Sequence, residues 1–497
     1  MMDAARANVL LIMVDQWPGN LLGIAGHPVI ETPTIDHLAS LGTYFPNAYS
    51  ECPICIPARR SVMTGTTARV HGDRVFQPAA VMPDKPTLAQ TFRDAGYQAT
   101  AVGKLHVYPQ RDRIGFDDAL LAEEGRANLG AVDDYEIYLA EQGYAGRQFE
   151  HGMCNNDYLW RTWHLPEEHH VTNWTTREMV KVIKRRDPTR PAFWHLSYTH
   201  PHPPLTPLAQ YFERYVRREI PKPVESNWSE KMVDLPYALK TVRDYWPQLG
   251  GERLADARRA FYAQCTHIDH QLRLVIGTLR EEGLLDNTVI MLTGDHGDML
   301  GDHGLYAKRV MLDGSARIPM VLVGTSAANN IPSGARDDRL VGLNDVMPTL
   351  LTQAGLEVPD SCDGYSMTGT ATRTYFYGEA LEGEMAMRMV RNDRYKLIWY
   401  PAGNITHLFD LEADPQEIRD LAGDADHAKV LRRLEQALIG HLYGGDESLA
   451  AKGKLTGTKE PVFTPFANRG FSGQRGLHFP PPPLSDASVV VGTPKKE

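Results

Sequence analysis

The chain has 497 residues, 42% hydrophobic and 23% charged, with 52 Lys and Arg against 62 Asp and Glu and a formal charge of −10. That length can bury a large core without disulfides and suits two to four domains or one large α/β domain with an appendage. The ordinary composition argues against wholesale disorder and fibrous folds, and the acidic balance against a nucleic-acid binder, which needs a basic face. The longest unbroken apolar run, Val9 to Val14, is far short of the roughly 20 residues of a membrane span. It ends at Asp15 with no small-residue cleavage site. Five cysteines, an odd number, form no disulfide framework. The expectation is a soluble, cytoplasmic protein of enzyme size with no membrane and no nucleic-acid partner.

In chain order, Asn8 to Val14 reads as a strand buried on both faces of a mostly parallel sheet, ending at Asp15-Gln16. Polar groups then stand at the carboxyl edge of the sheet, where open α/β folds bind ligands. Thr32-Pro33 opens a short helix stopped by Gly42, and a second helix from Thr87 to Ala95 is closed by Gly96 and leads into a strand at Gln98 to Val102. Asn173 to Arg186 predicts a helix and Ala192 to Tyr198 a strand. The longest helix begins near Arg253, where Leu254, Phe261, Cys265, Ile268, Leu272, Val275 and Leu279 make one apolar stripe. It is followed by the strand Asn287 to Leu292, which delivers Asp295-His296.

Beyond about residue 370 short β-rich runs follow closely, at Thr374 to Tyr377, Met385 to Arg391, Tyr395 to Tyr400 and His407 to Asp410. These predict an antiparallel sheet packed by a helix near His427 to Leu442. From Ala451 the chain is rich in Gly and Pro, with seven Lys and Arg against three Asp and Glu. That stretch is either a solvated terminus or an arm packing on the body or on a neighbouring subunit of a homo-oligomer. The predicted fold class is α/β, with a large mixed, mostly parallel central sheet flanked by helices and a smaller C-terminal antiparallel sheet plus helix. The expected boundaries are 1–370, 371–445 and a basic tail at 446–497.

The most informative stretch is Cys52-Pro-Ile-Cys55-Ile-Pro57-Ala58-Arg59, closed by Thr64-Gly65. Pro57 suits the first turn of a helix and Gly65 its end, which places Cys55 just before a helix N-terminus beside Arg59. Dipole and guanidinium both favour an anion there. A redox Cys-x-x-Cys pair leaves Pro57 and Arg59 without a role, and a zinc site lacks a second ligand pair, because Cys154, Cys265 and Cys362 stand alone.

The combination Cys55-x-Pro57-x-Arg59 with Thr64-Gly65 resembles the signature of the sulfatase family of the alkaline-phosphatase superfamily, in which a maturing enzyme oxidises the cysteine to formylglycine (3-oxoalanine). Cys52 does not fit, since Ile54 stands where its Pro is needed, and Ala58 departs from the Ser of many members. Asp15-Gln16 and Asp295-His296 resemble the family's two metal-ligand pairs, so Asp15, Gln16, Cys55, Asp295 and His296 are the expected metal site. His296 stands where many members have Asn; an imidazole leaves one divalent ion, Ca²⁺ or Mn²⁺, open. Lys104-Leu-His106 resembles the family's Lys-x-His pair and Pro201-His202-Pro203-Pro204 its Pro-His-x-Pro segment. His200 is expected to cap a turn or meet solvent. The run Gly301 to Lys308 resembles the stretch ending in a substrate-binding lysine, with Asp298, Asp302 and His303 supporting the loop. Leu408 to Glu417, containing Asp414-Pro415-Gln416-Glu417, resembles a segment of the C-terminal sulfatase subdomain.

The resemblance implies an alkaline-phosphatase-like fold and hydrolysis of sulfate monoesters, arylsulfatase-type, through a covalent sulfo-enzyme. As the resemblance implies, a divalent ion would make one hydroxyl of the hydrated formylglycine at position 55 a usable nucleophile toward sulfur. His202 and Lys308 protonate or stabilise the departing alcohol, and His106 takes the proton of the second hydroxyl. Arg59 and Lys104 hold the diol and the sulfate charge. The expected partners are a small anionic ester substrate and the formylglycine-generating enzyme. A rival reading, phosphonate monoester or phosphodiester hydrolysis, shares the metal pairs and the cysteine segment, but such enzymes tend to lack the Lys-x-His pair. A non-catalytic binding protein on the same scaffold is the third reading. Trp17, Tyr306 and the aromatics from Asn156 to Trp163 are candidates for a substrate pocket or for core.

Overall fold

The computed structural model describes residues 6–125, 132–153, 156–246, 248–326 and 330–465. Its centre is an eight-stranded sheet in the order Asp118–Leu121, Gln98–Gly103, Ala192–Pro201, Asn8–Asp15, Thr288–Gly294, Met320–Val323, Thr43–Tyr44, Ala335–Arg336. The first five of these run parallel. Met320–Val323 pairs antiparallel with its two neighbours, which makes the sheet mixed. The apolar run predicted to be buried on both faces is so: every residue of Asn8–Asp15 is buried. Leu10, Ile12 and Val14 pack into one core and Val9, Leu11 and Met13 into the other. Each fully buried aliphatic side chain contributes about 1.5–3 kcal/mol, so this central strand anchors the sheet.

The long helix, Gly251–Glu281, lays its predicted stripe from Leu254 to Leu279 into the first core. Val171–Lys184 packs beside it, and Leu88–Asp94 covers the opposite core with Phe92 stacked on Phe193. Phe376–Ala380, Met387–Arg391, Tyr395–Tyr400 and Ile405–Asp410 form a four-stranded antiparallel sheet. The helix Ala428–His441 closes over Val390, Leu397, Trp399 and Leu408 with Leu434 and Leu438. A short hairpin, Ala450–Ala451 with Lys454–Leu455, follows. Residues 466–497, most of the predicted basic tail, lie outside the described residues, as does Cys154. No helix among the described residues is long and apolar enough to cross a membrane.

This topology explains where a site can form. Five parallel strands end at one edge of the sheet, so Asp15, Lys104, Glu123, His202 and Asp295, each within two residues of a strand end, are delivered to one place.

Candidate active site

The helix that carries the cysteine runs Cys55–Thr64, with Ile54 as its N-cap and Gly65 closing it in the left-handed region at φ 64°. Cys55 is therefore the first helical residue rather than the one before it. Pro57 remains in the first turn, where its missing N–H costs nothing. All ten helical residues are buried, so the helix N-terminus points its free amides into the protein at the carboxyl edge of the sheet.

Around Cys55, Asp15, Asp295 and His296 each offer one ligand atom, and the four atoms lie within 4.8 Å of one another. Cys55 Sγ is 3.1 Å from His296 Nε2, whose Nδ1 faces the Gly297 carbonyl at 3.0 Å. Asp295 Oδ1 accepts from the backbone amides of Gln16 and His296 at 3.0 and 2.9 Å. Asp15 Oδ1 is buried and accepts no hydrogen bond. Two carboxylates, an imidazole and a first-turn side chain, with an unsatisfied buried oxygen facing them, fit a divalent cation. Gln16 flanks the group at φ 66°. Its amide nitrogen donates to Tyr158 Oη at 3.2 Å and to Asp298 Oδ2 at 2.5 Å, and its Oε1 meets Lys308 Nζ.

Three cations surround the group. Arg59 donates from Nε to Asp295 Oδ2 at 3.0 Å, and from one terminal nitrogen to the Lys104 carbonyl at 2.8 Å and Ser197 Oγ at 2.9 Å. Its other terminal nitrogen stands 3.6 Å from Asp15. Lys104 Nζ is clasped between Asp15 and Glu124. Lys308 Nζ bridges Gln16 Oε1 and His202 Nε2, the latter at 2.7 Å. Burial would raise the Asp15 carboxyl, but the Lys104 ammonium and then the Arg59 guanidinium outweigh it and hold it well below the usual carboxylate range. Burial pushes the Cys55 thiol up; Lys308, His296 and Lys104 more than offset burial and nearby Asp15, leaving it below its ordinary value. At Cys52 burial, with Glu379 and Asp73 nearby, outweighs Arg388 and drives the thiol well above the ordinary range.

His202 Nδ1 lies 2.7 Å from the Pro203 carbonyl, which fixes the proton there and leaves Nε2 as the acceptor for Lys308. Burial and then Lys308 depress its pKa well below 6.5, so the ring is neutral. His106 is buried at φ 58°; its own amide and that of Leu105 donate to Glu123 at 2.9 and 2.7 Å. His200 does not meet solvent: it is buried, with Nδ1 2.6 Å from Gln264 and 3.1 Å from the His202 carbonyl, so it braces the next turn. Asp298 supports the Lys308 loop as expected, accepting from the amides of Leu300 and Ala307 at 2.8 and 3.0 Å.

Of the expected pocket aromatics, Trp17 and Tyr306 are core. Tyr158 reaches Gln16 and Asp298, and Trp163 lines a cavity beside His202 together with Glu124, Phe149, His151, His200 and Pro204. Sequence reasoning did not single out Glu123, Glu124 or Ser197. The only local signal for the first two is an acidic pair just after the short run Ala119-Leu-Leu121, which is not among the predicted strands.

A family model described as "Sulfatase" matches residues 7–356, and one described as "N-sulphoglucosamine sulphohydrolase, C-terminal" matches 301–442. The chain belongs to the sulfatase family. This sulfatase is 33% identical to an arylsulfatase of Clostridium perfringens over 468 residues, 90% of this chain and 97% of that one. It is 28% identical to a choline-sulfatase of Rhizobium meliloti, covering 86% of each chain. The solved phosphonate monoester hydrolase of Agrobacterium radiobacter superposes with a TM-score of 0.77 at 24% identity, over 88% of this chain and 95% of that one, which establishes the shared fold. The chain is accordingly a hydrolase of the alkaline-phosphatase superfamily.

Proposed function

We propose that this enzyme hydrolyses sulfate monoesters of small, uncharged alcohols, aryl sulfates above all, using Cys55 after its oxidation to formylglycine. The observation that carries the reading is the placement of Cys55 at a helix N-terminus between Asp15, Asp295 and His296, with Arg59, Lys104 and Lys308 around it. A divalent cation held by Asp15, Gln16, Asp295, His296 and the oxidised side chain at position 55 would supply Lewis acidity and lower the pKa of a coordinated hydroxyl.

The chain's own groups account for the rest. Arg59 and Lys104, with the free amides of the helix, offer positive charge where a sulfuryl group carries its negative charge. Lys308, whose proton is directed at the neutral His202 Nε2, is assigned as the donor to the departing alcohol oxygen, with His202 holding it in place. His202 is thus a holder of the Lys308 proton more than an acid in its own right. His106 is assigned to the proton of the hydroxyl that expels sulfate. Among the described residues the cavity beside His202 is lined by no Lys or Arg, and burial holds its His151 and His200 down at about 4, so both are neutral at pH 7. The apolar and aromatic part of that lining, Phe149, Trp163, Pro203 and Pro204, suits an apolar leaving group. The intact Lys104 and His106 favour sulfate over phosphonate esters.

Mass spectrometry of the tryptic peptide from Ala7 to Arg59, beside parallel assays with an aryl sulfate and a phosphonate monoester, tests the reading. Expected are loss of the thiol at Cys55 and faster sulfate turnover. A fully active enzyme with Cys55 still a thiol would end the formylglycine assignment, and phosphonate turnover well above sulfate turnover would reverse the substrate order.

A further inference from the structure

Lys308 sits on a segment, 295–317, that regular secondary structure does little to shape. Leu300, His303, Ala307 and Arg309 all adopt positive φ, and only short turns interrupt the loop. Its base is closed by the Gly297 amide donating to the Ser315 carbonyl at 2.7 Å, and Arg309 N donates to the Pro53 carbonyl at 3.1 Å. The downstream limb is gripped by the second sheet. Lys396, fully buried on the strand Tyr395–Tyr400, donates to the Met311 carbonyl at 3.1 Å and to Asp313 Oδ1. Its ammonium also pairs with Glu417 Oε1 at 2.5 Å.

Glu417 closes the circuit: its Oε2 accepts the Asp313 amide at 2.8 Å, and its carbonyl accepts from Trp228 Nε1 at 2.8 Å. Glu417 is itself held at φ 58°, a conformation that costs a non-glycine residue stability. It is the acid of the Asp414-Pro-Gln-Glu417 motif, and none of the chemistry derived so far uses it. A buried ion pair is weak as a source of stability but strict about geometry, and here it fixes one end of the six-residue lever Lys308 to Asp313, whose other end carries the Lys308 ammonium.

We propose that Glu417 and Lys396 are positioning residues for Lys308, so that the C-terminal subdomain sets the geometry of proton donation to the leaving oxygen. The inference rests on the place of Lys308 in the reading above. Docking of the subdomain does not depend on this circuit alone, because Arg74 also joins the body to Glu379 at 2.9 Å and Asp446 at 2.6 Å. Loss of the Glu417 charge therefore leaves the subdomain attached while freeing the lever.

The test is kcat/KM for aryl sulfates whose phenols span a range of acidity, measured on full-length wild type, Glu417→Gln and Lys308→Ala, on their double variant, and on Glu379→Gln as a docking control. Positioning predicts that Glu417→Gln costs about tenfold on the poorest leaving group, little on the best, and nothing further in the Lys308→Ala background. Glu379→Gln lowers the melting temperature without changing the dependence on leaving group. An equal loss on every ester, or an equal loss with and without Lys308, overturns the proposal. If Glu417→Gln does not fold, Asp313→Asn reads the same series from the loop side. Failure of the functional reading is distinct, because wild type then turns over no aryl sulfate; if it cleaves aryl phosphonates instead, those esters supply the same series.

Discussion

Gly103 ends the strand that delivers Lys104, and its substitution by alanine is the sharpest structural test of the site. Its φ is +107°, and a Cβ built there would stand 1.8 Å from the carbonyl oxygen of Ser197. Gly103 and Ser197 are register partners on adjacent parallel strands. The offending atom is backbone, so it cannot rotate away. Reaching an ordinary contact of 3.4 Å requires about 1.6 Å of opening between the two strands. The same Ser197 carbonyl accepts the Lys104 amide at 3.0 Å, and Ser197 Oγ holds Arg59 at 2.9 Å. Overpacking costs about 1–3 kcal/mol, the unfavourable φ about 1–2 kcal/mol, and the loosened Lys104 amide bond about 1 kcal/mol. The sum, roughly 3–6 kcal/mol, is a large part of a typical total of about 5–15 kcal/mol. Urea unfolding should show that loss for Gly103→Ala, and any folded fraction should lose about 10²-fold in kcat/KM through displacement of Lys104 and Arg59. An alanine variant within about 1 kcal/mol of wild type that retains its activity would refute the claim that this close approach fixes the cation pair.

Cys55→Ala should abolish ester hydrolysis, whereas Cys52→Ala, at a core position outside the ligand group, should keep the turnover of its folded fraction; active-site-normalised rates separate them. Lys104→Met leaves Asp15 and Glu124 without their shared cation, and we expect aryl sulfate turnover to fall by about 10²-fold or more, with phosphonate turnover falling less. Removal of divalent metal with a chelator should stop hydrolysis, and metal at about 100 times its Kd should restore it together with about 2.7 kcal/mol of stability, read as a shift in melting temperature. His195 is buried on the central sheet, and burial, then Arg59, push its pKa down from 6.5 to about 3. The unfolded chain therefore binds a proton below about pH 6.5 that the folded chain refuses, and stability falls as pH drops from 6.5 toward 3. His195→Phe should reduce the loss between pH 6.5 and 5 by about 2 kcal/mol in urea unfolding; an unchanged pH dependence would contradict the assignment.

The strands at Asn8 and Thr288 were legible because burial on both faces demands largely apolar runs, and those leave a local trace. The long helix was legible for the related reason that one buried stripe repeats at helical spacing. The candidate site was legible where a strand end or helix start carries the side chain, as at Asp15, Cys55, His202 and Asp295. Glu124, Ser197 and Lys396 left no such trace, and Glu417 showed only as part of a motif with no role attached. Each acts by meeting a partner far away in sequence: Glu124 meets Lys104, Ser197 meets Arg59, and Glu417 meets Asp313. Nor does any local rule place Gln16, His106, Ala307 and Arg309 at positive φ without glycine. Those conformations are imposed by tertiary contacts, and they cluster where the chemistry is.

The concentration of buried charge has a further consequence for how the enzyme tolerates change. Arg59, Lys104, Lys308, Asp15, Asp295 and Glu124 are all buried within one shell, in a chain of net charge −10. Desolvating such groups costs several kcal/mol per ion, and their mutual attraction returns this only while every partner is present. The apolar cores on the two faces of the sheet carry the stability that permits it. Removing one ion from the shell therefore does two kinds of damage, a catalytic loss and an unpaired buried charge. A paired apolar replacement, such as Lys104→Met with Glu124→Leu, should recover stability without recovering activity. That separation is the mark of charges retained for chemistry and not for the fold.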